Sequence, residues 1–161
     1  MHNSHQSFAS RRRMLDHDGR ASNQVIWFSG PDDSRLLEAF EVMDEWLLDR
    51  RPAKATDRCF TNTGDEIARG SRVWDGILNS RPDGVCTTTY PIHSTSRIVA
   101  GGPLRGGVYK CALQSVSKAI ARGLYGSWKP SAAERARLEA IFPTGVCDYA
   151  KDDVGRPRHH R

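Results

Sequence analysis

No apolar run in this 161-residue chain approaches the about 20 residues that a membrane-spanning helix needs. No C-x-x-C pair occurs, which removes the usual zinc-ribbon and thioredoxin-like sites. A G-x-S-x-G nucleophile elbow is missing, because Gly126-Ser127-Trp128 lacks the glycine two residues before the serine. There is no P-loop, no G-x-G-x-x-G and no H-E-x-x-H. The glycine-rich run from Gly101 to Gly107 has no lysine-serine pair and is interrupted by Pro103, so it reads as a turn and not a phosphate cradle. Met1 is followed at once by His2, Asn3, Ser4 and His5 with no apolar h-region, so no signal peptide is expected in the chain. Internal repeats are missing, and nothing is of low complexity beyond a basic end.

What is present suits a soluble protein with generous loops: 38% hydrophobic and 27% charged residues, punctuated by eight prolines and fourteen glycines. The length predicts a single domain over 1–155, or a fragment of a larger one, with 156–161 a disordered basic tail. The net charge of +5 is spread over the chain, with clusters at Arg11-Arg12-Arg13 and from Arg156 to Arg161. Asp16, Asp18, Asp32 and Asp33 interrupt any continuous basic face, so the arginines read as solvated and no nucleic acid is expected as a partner. A non-enzymatic basic binding or interaction domain is the alternative that these clusters leave open.

Four cysteines, Cys59, Cys86, Cys111 and Cys147, permit three pairings. Sequential pairing would close two separate long loops, each worth on the order of 3–4 kcal/mol by chain entropy before any strain. Four buried free thiols are the other possibility. Between Lys110-Cys111-Ala112-Leu113 and the stretch from Ile141 to Tyr149, a staple would make one unit and hold the last helix in place. A nucleophilic Cys147 would need a base and a depressed pKa, and its neighbours supply neither.

Hydrophobic spacing places the elements. Residues 2–15 become a one-sided surface helix on Phe8, Met14 and Leu15, stopped at Asp16-His17-Asp18-Gly19. Gln24 to Phe28 reads as a short buried strand. Asp32-Asp33-Ser34 caps a helix that runs to about Arg50, on a stripe of Leu36, Phe40, Met43 and Leu47 at i, i+4, i+7 and i+11. Leu37, Val42, Trp46 and Leu48 widen that face, and Pro52 stops the helix. Residues 52–108 are mainly irregular, with Ile67, Val73, Trp74, Ile77 and Leu78 the buryable positions; segments near 65–69 and 87–91 fit helix or strand. Helical spacing returns from Cys111 to Ile120. Ser131-Ala132-Ala133-Glu134 is a capping box opening a last helix, with Leu138 and Ile141 on its buried side and Pro143 at its end.

Histidine offers little obvious chemistry. His2 and His5 could share a helix face, but no carboxylate or cysteine completes a metal set, so no metal and no cofactor is expected. His17 sits in a turn, His93 in a loop, and His159-His160 in the tail.

An ordered set of phrases carries a further signal: His2-Asn3-Ser4-His5-Gln6-Ser7-Phe8, Asn23 to Trp27, Met43 to Leu47, Arg51-Pro52-Ala53, Asp57-Arg58-Cys59, Tyr90-Pro91, Ala100 to Leu104, Lys110 to Leu113, and Phe142 to Tyr149. Together these resemble the C-terminal part of a large family of mostly exported bacterial proteins of unknown function. That family is placed among the α/β-hydrolases, near tannase-like and polyester-degrading esterases. The resemblance implies an α/β fold, here a C-terminal fragment made mainly of helices and long disulfide-stapled loops with few strands. It implies a full-length protein several times longer, secreted or periplasmic, whose nucleophile and oxyanion hole lie upstream and help to bind the ester substrate. In the family an Asp-(Ile/Leu)-His phrase precedes the Asn-Ser stretch, and its histidine suits the triad base, last in chain order. His2 matches that histidine; Met1 stands just before it and the aspartate has no counterpart. The resemblance therefore implies a serine esterase portion that carries its base, lacks its nucleophile and is inactive alone.

Overall fold

The computed structural model describes residues 4–30, 35–49 and 55–157. The chain divides into two compact units, Met1–His93 and Ser94–Arg161.

In the first unit, helix α1 (His5–Asp18) ends where Gly19 turns left-handed at φ 68° and its N–H closes on the Leu15 carbonyl. The inward face of α1 carries His5, Phe8, Ala9 and Arg11, all buried. The helix is one-sided as expected, with Phe8 inward and Arg12 and Arg13 exposed; the correction is Arg11, which lies on the buried side. Phe8 is completely buried, meets Trp74 edge-on at 5.2 Å, and lies in a core with Ile26, Cys59, Val73 and Cys86. Of the strand expected over Gln24 to Phe28, only β1 (Trp27–Phe28) forms; just before it the Ile26 carbonyl still accepts the Arg58 N–H, while the Ile26 N–H donates to the Asp57 side chain.

Strand β1 runs parallel to β2 (Arg58–Phe60), and β3 (Glu66–Arg69) returns antiparallel to β2 with an irregularity between Cys59 and Phe60. The segment near 65–69 is therefore a strand. The one after Gly84 is a short helix, α3 (Val85–Thr89), which carries Cys86 into the core. Gly84 packs so tightly that a Cβ there would lie 2.4 Å from the carbonyl oxygens of Arg72 and Val73. The Cys59–Cys86 disulfide joins β2 to α3 with both cysteines fully buried. Ile67, Ile77 and Leu78 pack against this core, and Val73 and Trp74 lie in it, as the composition of the loop suggested.

Helix α2 (Leu36–Asp49) has the register that the sequence indicated and the opposite orientation. Leu36, Leu37, Phe40, Met43, Leu47 and Leu48 are between 50% and 75% exposed. The half-buried positions are Glu38, Val42 and Trp46 on the other side. The proposed N-cap at Asp32-Asp33-Ser34, and Arg50 to Pro52 at the far end, lie outside the described residues.

In the second unit, α4 (Ser96–Val99) is capped by the Thr95 side chain. The helix expected from Cys111 is corrected: β4 (Ala112–Gln114) comes first, and α5 (Val116–Ala121) follows a Ser115 cap. Ser115 ends the strand because its hydroxyl accepts from the Lys118 N–H, which starts a helix at that point. Helix α6 (Ala132–Ile141) opens with the full capping box of Ser131 and Glu134. Its apolar side is not buried: Leu138 is half-exposed and Ile141 is 56% exposed. Gly145, at φ 98°, turns the chain within 2.3 Å (measured to a Cβ built there) of the Gln114 carbonyl, and β5 (Val146–Asp148) then pairs antiparallel with β4. The Cys111–Cys147 disulfide closes that hairpin-like pair. Helices and two small sheets make the chain a mixed α/β structure.

Candidate functional site

The triad candidate His2 lies outside the described residues, as do His159 and His160. The remaining histidines have distinct surroundings. His5 is 3% exposed, and burial lowers its pKa below the usual 6.5, favouring the neutral ring. His17 is exposed and bound to the neighbouring Asp18 at 2.6 Å, a hydrogen bond that raises its pKa. His93 is exposed. All four cysteines are in disulfides, so none can act as a thiolate nucleophile. Among the described residues no group of three or more His, Cys, Asp or Glu side chains could hold a metal, and no helix is long and apolar enough to cross a membrane.

One polar centre organises the first unit. The Arg11 guanidinium forks onto the Asp57 carboxylate, Nη1 to Oδ2 and Nη2 to Oδ1 at 2.9 Å, with both side chains about nine-tenths buried. Arg11 Nε donates to Gln24 Oε1 at 3.1 Å, and Nη2 also to the Gln24 carbonyl at 3.0 Å. Asp57 Oδ1 accepts the Ile26 N–H at 2.8 Å. The pair thus ties α1, the approach to β1 and the approach to β2 together, with the charges saturated by hydrogen bonds. Arg11 is consequently not a solvated member of a basic cluster. Its neighbour Arg12 pairs with Asp16 at 2.8 Å.

The second unit carries an apolar groove of about 760 Å³. Its walls include Tyr125 and Trp128, packed edge-on at 5.9 Å, with Phe142 and Tyr149 from the segments around β5 and Leu113 from β4. Trp128, Phe142 and Leu113 are 43%, 44% and 52% exposed, so the groove is open. Gly123 and Gly126, both left-handed, shape the turn that presents Tyr125 and Trp128. Beneath the groove Arg122 Nη1 donates to Gln114 Oε1 at 2.8 Å and to Asp148 Oδ1 at 2.9 Å, fixing α5 against both strands. The Arg122 hydrogen bond lowers the Asp148 pKa despite burial. This surface suits an apolar or aromatic group by contact area, and the Cys147 sulfur on its wall is already bonded to Cys111.

Sequence reasoning missed both features. Asp57 appeared only inside a family-like phrase, and its pairing with a residue 46 positions away leaves no local pattern. The Tyr125 to Trp128 spacing was a usable signal: two aromatics three apart across a glycine, after a helix stop at Gly123.

Compared with known families, residues 1–158 match a tannase-like family of unknown function (DUF6351). No curated protein and no solved structure is similar enough to add a named relative or a fold match.

Proposed function

We propose that this chain, which belongs to that tannase-like family, acts as one part of a secreted ester-hydrolysing enzyme. The observation that carries the proposal is the family match over residues 1–158, nearly the whole chain; it supports an esterase-type origin. In this reading His2 is the base that takes the proton of a serine nucleophile supplied from outside these 161 residues and later returns it to the leaving alcohol. The sequence contains no G-x-S-x-G, and a base without its nucleophile does no acyl transfer. The two disulfides are compatible with an oxidising, extracellular setting.

Incubating the isolated chain with a p-nitrophenyl ester tests this directly. No turnover above the buffer rate is expected. Robust hydrolysis abolished by a serine-directed inhibitor would overturn the assignment of the nucleophile to another segment. In a longer family member that does hydrolyse esters, replacing the histidine aligned with His2 by alanine should lower kcat by about 10³-fold or more. A near-neutral result removes His2 from the triad.

A further inference from the structure

Helix α2 turns Glu38, Val42 and Trp46 inward, and Glu38 is the one charged side chain of that half-buried face. Glu38 accepts from Arg35 Nη1 at 3.1 Å and from Arg58 Nη1 on β2 at 2.7 Å. Arg35 Nη2 also donates to the Gly64 carbonyl at 2.6 Å, and its guanidinium lies 4.9 Å from the centre of the Phe60 ring. Arg58 in turn stacks 4.8 Å over the Trp27 ring. These contacts determine which side of α2 faces the sheet, and they leave Leu36, Phe40, Met43 and Leu47 pointing away, 68%, 68%, 50% and 71% exposed.

Four large apolar side chains alternating at four and three residues form the seam that helices use against other helices. Beside the seam lies an apolar groove of about 270 Å³ lined by Val25, Trp27, Val42 and Trp46, and Met43 belongs to both surfaces. The helix contains no lysine or arginine. On the side away from the groove the exposed Asp44 lies beside the seam, with Glu41 beyond the exposed Leu37 and Leu48, and no ion pair among the described residues engages either carboxylate. Contiguous exposed apolar surface of this kind marks an interaction site, and the acidic border specifies the sign of its partner.

We propose that the outward face of α2 docks an amphipathic helix of another protein, one whose apolar stripe is flanked by lysine or arginine. The partner's stripe lies along Leu36, Phe40, Met43 and Leu47, one large side chain enters the groove beside Trp46, and its basic flank meets Glu41 and Asp44. A second copy of α2 would bring the same acidic border against this one, and an anionic lipid surface would be repelled by it; a basic helix satisfies both the seam and the charge. This inference is independent of the esterase reading, since it uses neither His2 nor the second unit.

The probe is a fluorescein-labelled Leu/Lys peptide with apolar a and d positions, long enough to cover the about 21 Å of the 14-residue α2. A Leu/Glu peptide with the same apolar face is the comparison, and both are titrated with the intact chain at low salt by anisotropy. The Leu/Lys peptide should bind about tenfold or more tightly than the Leu/Glu peptide. Phe40→Ser with Leu47→Ser should weaken that binding by about tenfold or more, with the circular dichroism unchanged. Glu41→Lys with Asp44→Lys should reverse the preference between the two peptides. Equal affinity for both peptides, no binding of either, or full binding by the F40S/L47S variant overturns the proposal. So does a concentration-dependent dimer of the unliganded chain that F40S/L47S abolishes, which would assign the face to a second copy.

Discussion

Arg11 and Asp57 illustrate how one buried ion pair can specify a fold without being visible in the sequence. Each guanidinium and carboxylate edge has a partner, so breaking the pair strands a charge beside Phe8, Ile26 and Cys59 in the same interior. Asp57→Asn should cost about 3–5 kcal/mol in urea unfolding. The double replacement Arg11→Met with Asp57→Leu should recover most of that loss, because no uncompensated charge remains; a double variant as unstable as the single one would contradict this account. His5 makes a pH prediction of defined sign. Its folded pKa lies below 6.5, so the unfolded chain takes up a proton that the folded chain resists. Stability from this residue is therefore complete above about pH 6.5 and is lost as pH falls below it, down to the folded pKa. The urea midpoint should drop more between about pH 7.5 and about pH 5.5 in the wild type than in His5→Gln. Equal slopes would mean that His5 is protonated in place.

At the scale of elements, α2 and α6 separate what periodicity reveals from what it leaves open. The spacing of Leu36, Phe40, Met43 and Leu47 correctly marked a helix and its apolar side, yet that side faces out. Periodicity reports which residues share a face; the Arg35–Glu38–Arg58 bonds decide where the face points, and they depend on β2 lying alongside. Phe40→Ser and Leu47→Ser should each change stability by no more than about 0.5 kcal/mol, where a core position would lose about 2–5 kcal/mol. In α6 the local signal was complete, because the cap depends only on residues four apart or fewer. Ser131 N and Oγ both bond to Glu134 Oε2, at 2.7 and 2.8 Å, and the backbone bond is the main cause of the lowered Glu134 pKa. Ser131→Ala should destabilise the second unit by about 1 kcal/mol, read from the shift in its unfolding midpoint. The Cys111 to Ile120 segment shows the converse. Its apolar positions fit a helix, but pairing with β5, four residues beyond the end of α6, holds Ala112–Gln114 extended.

For the molecule as a whole, each unit contains one disulfide: Cys59–Cys86 in the first and Cys111–Cys147 in the second. Their environments differ, since Cys59 and Cys86 are 0% exposed while Cys111 and Cys147 are half-exposed. Thiol exchange needs access to sulfur, so a brief pulse of a dithiol followed by alkylation should label Cys111 and Cys147 well before Cys59 and Cys86, as peptide mass spectrometry would resolve. Labelling of all four together would show that the first unit opens as readily as the second. Taken by itself, the sequence determined the periodic segments, the Ser131 capping box, the turn at Gly19 and membership of a tannase-like family, because each depends on neighbours within a few positions or on an ordered set of phrases. Tertiary structure alone decided the disulfide pairing, the burial of Arg11 against Asp57, the outward face of α2 and the groove framed by Tyr125 and Trp128. Each of these brings together groups far apart in the chain, and burial and charge pairing are settled only when such groups compete for the same space.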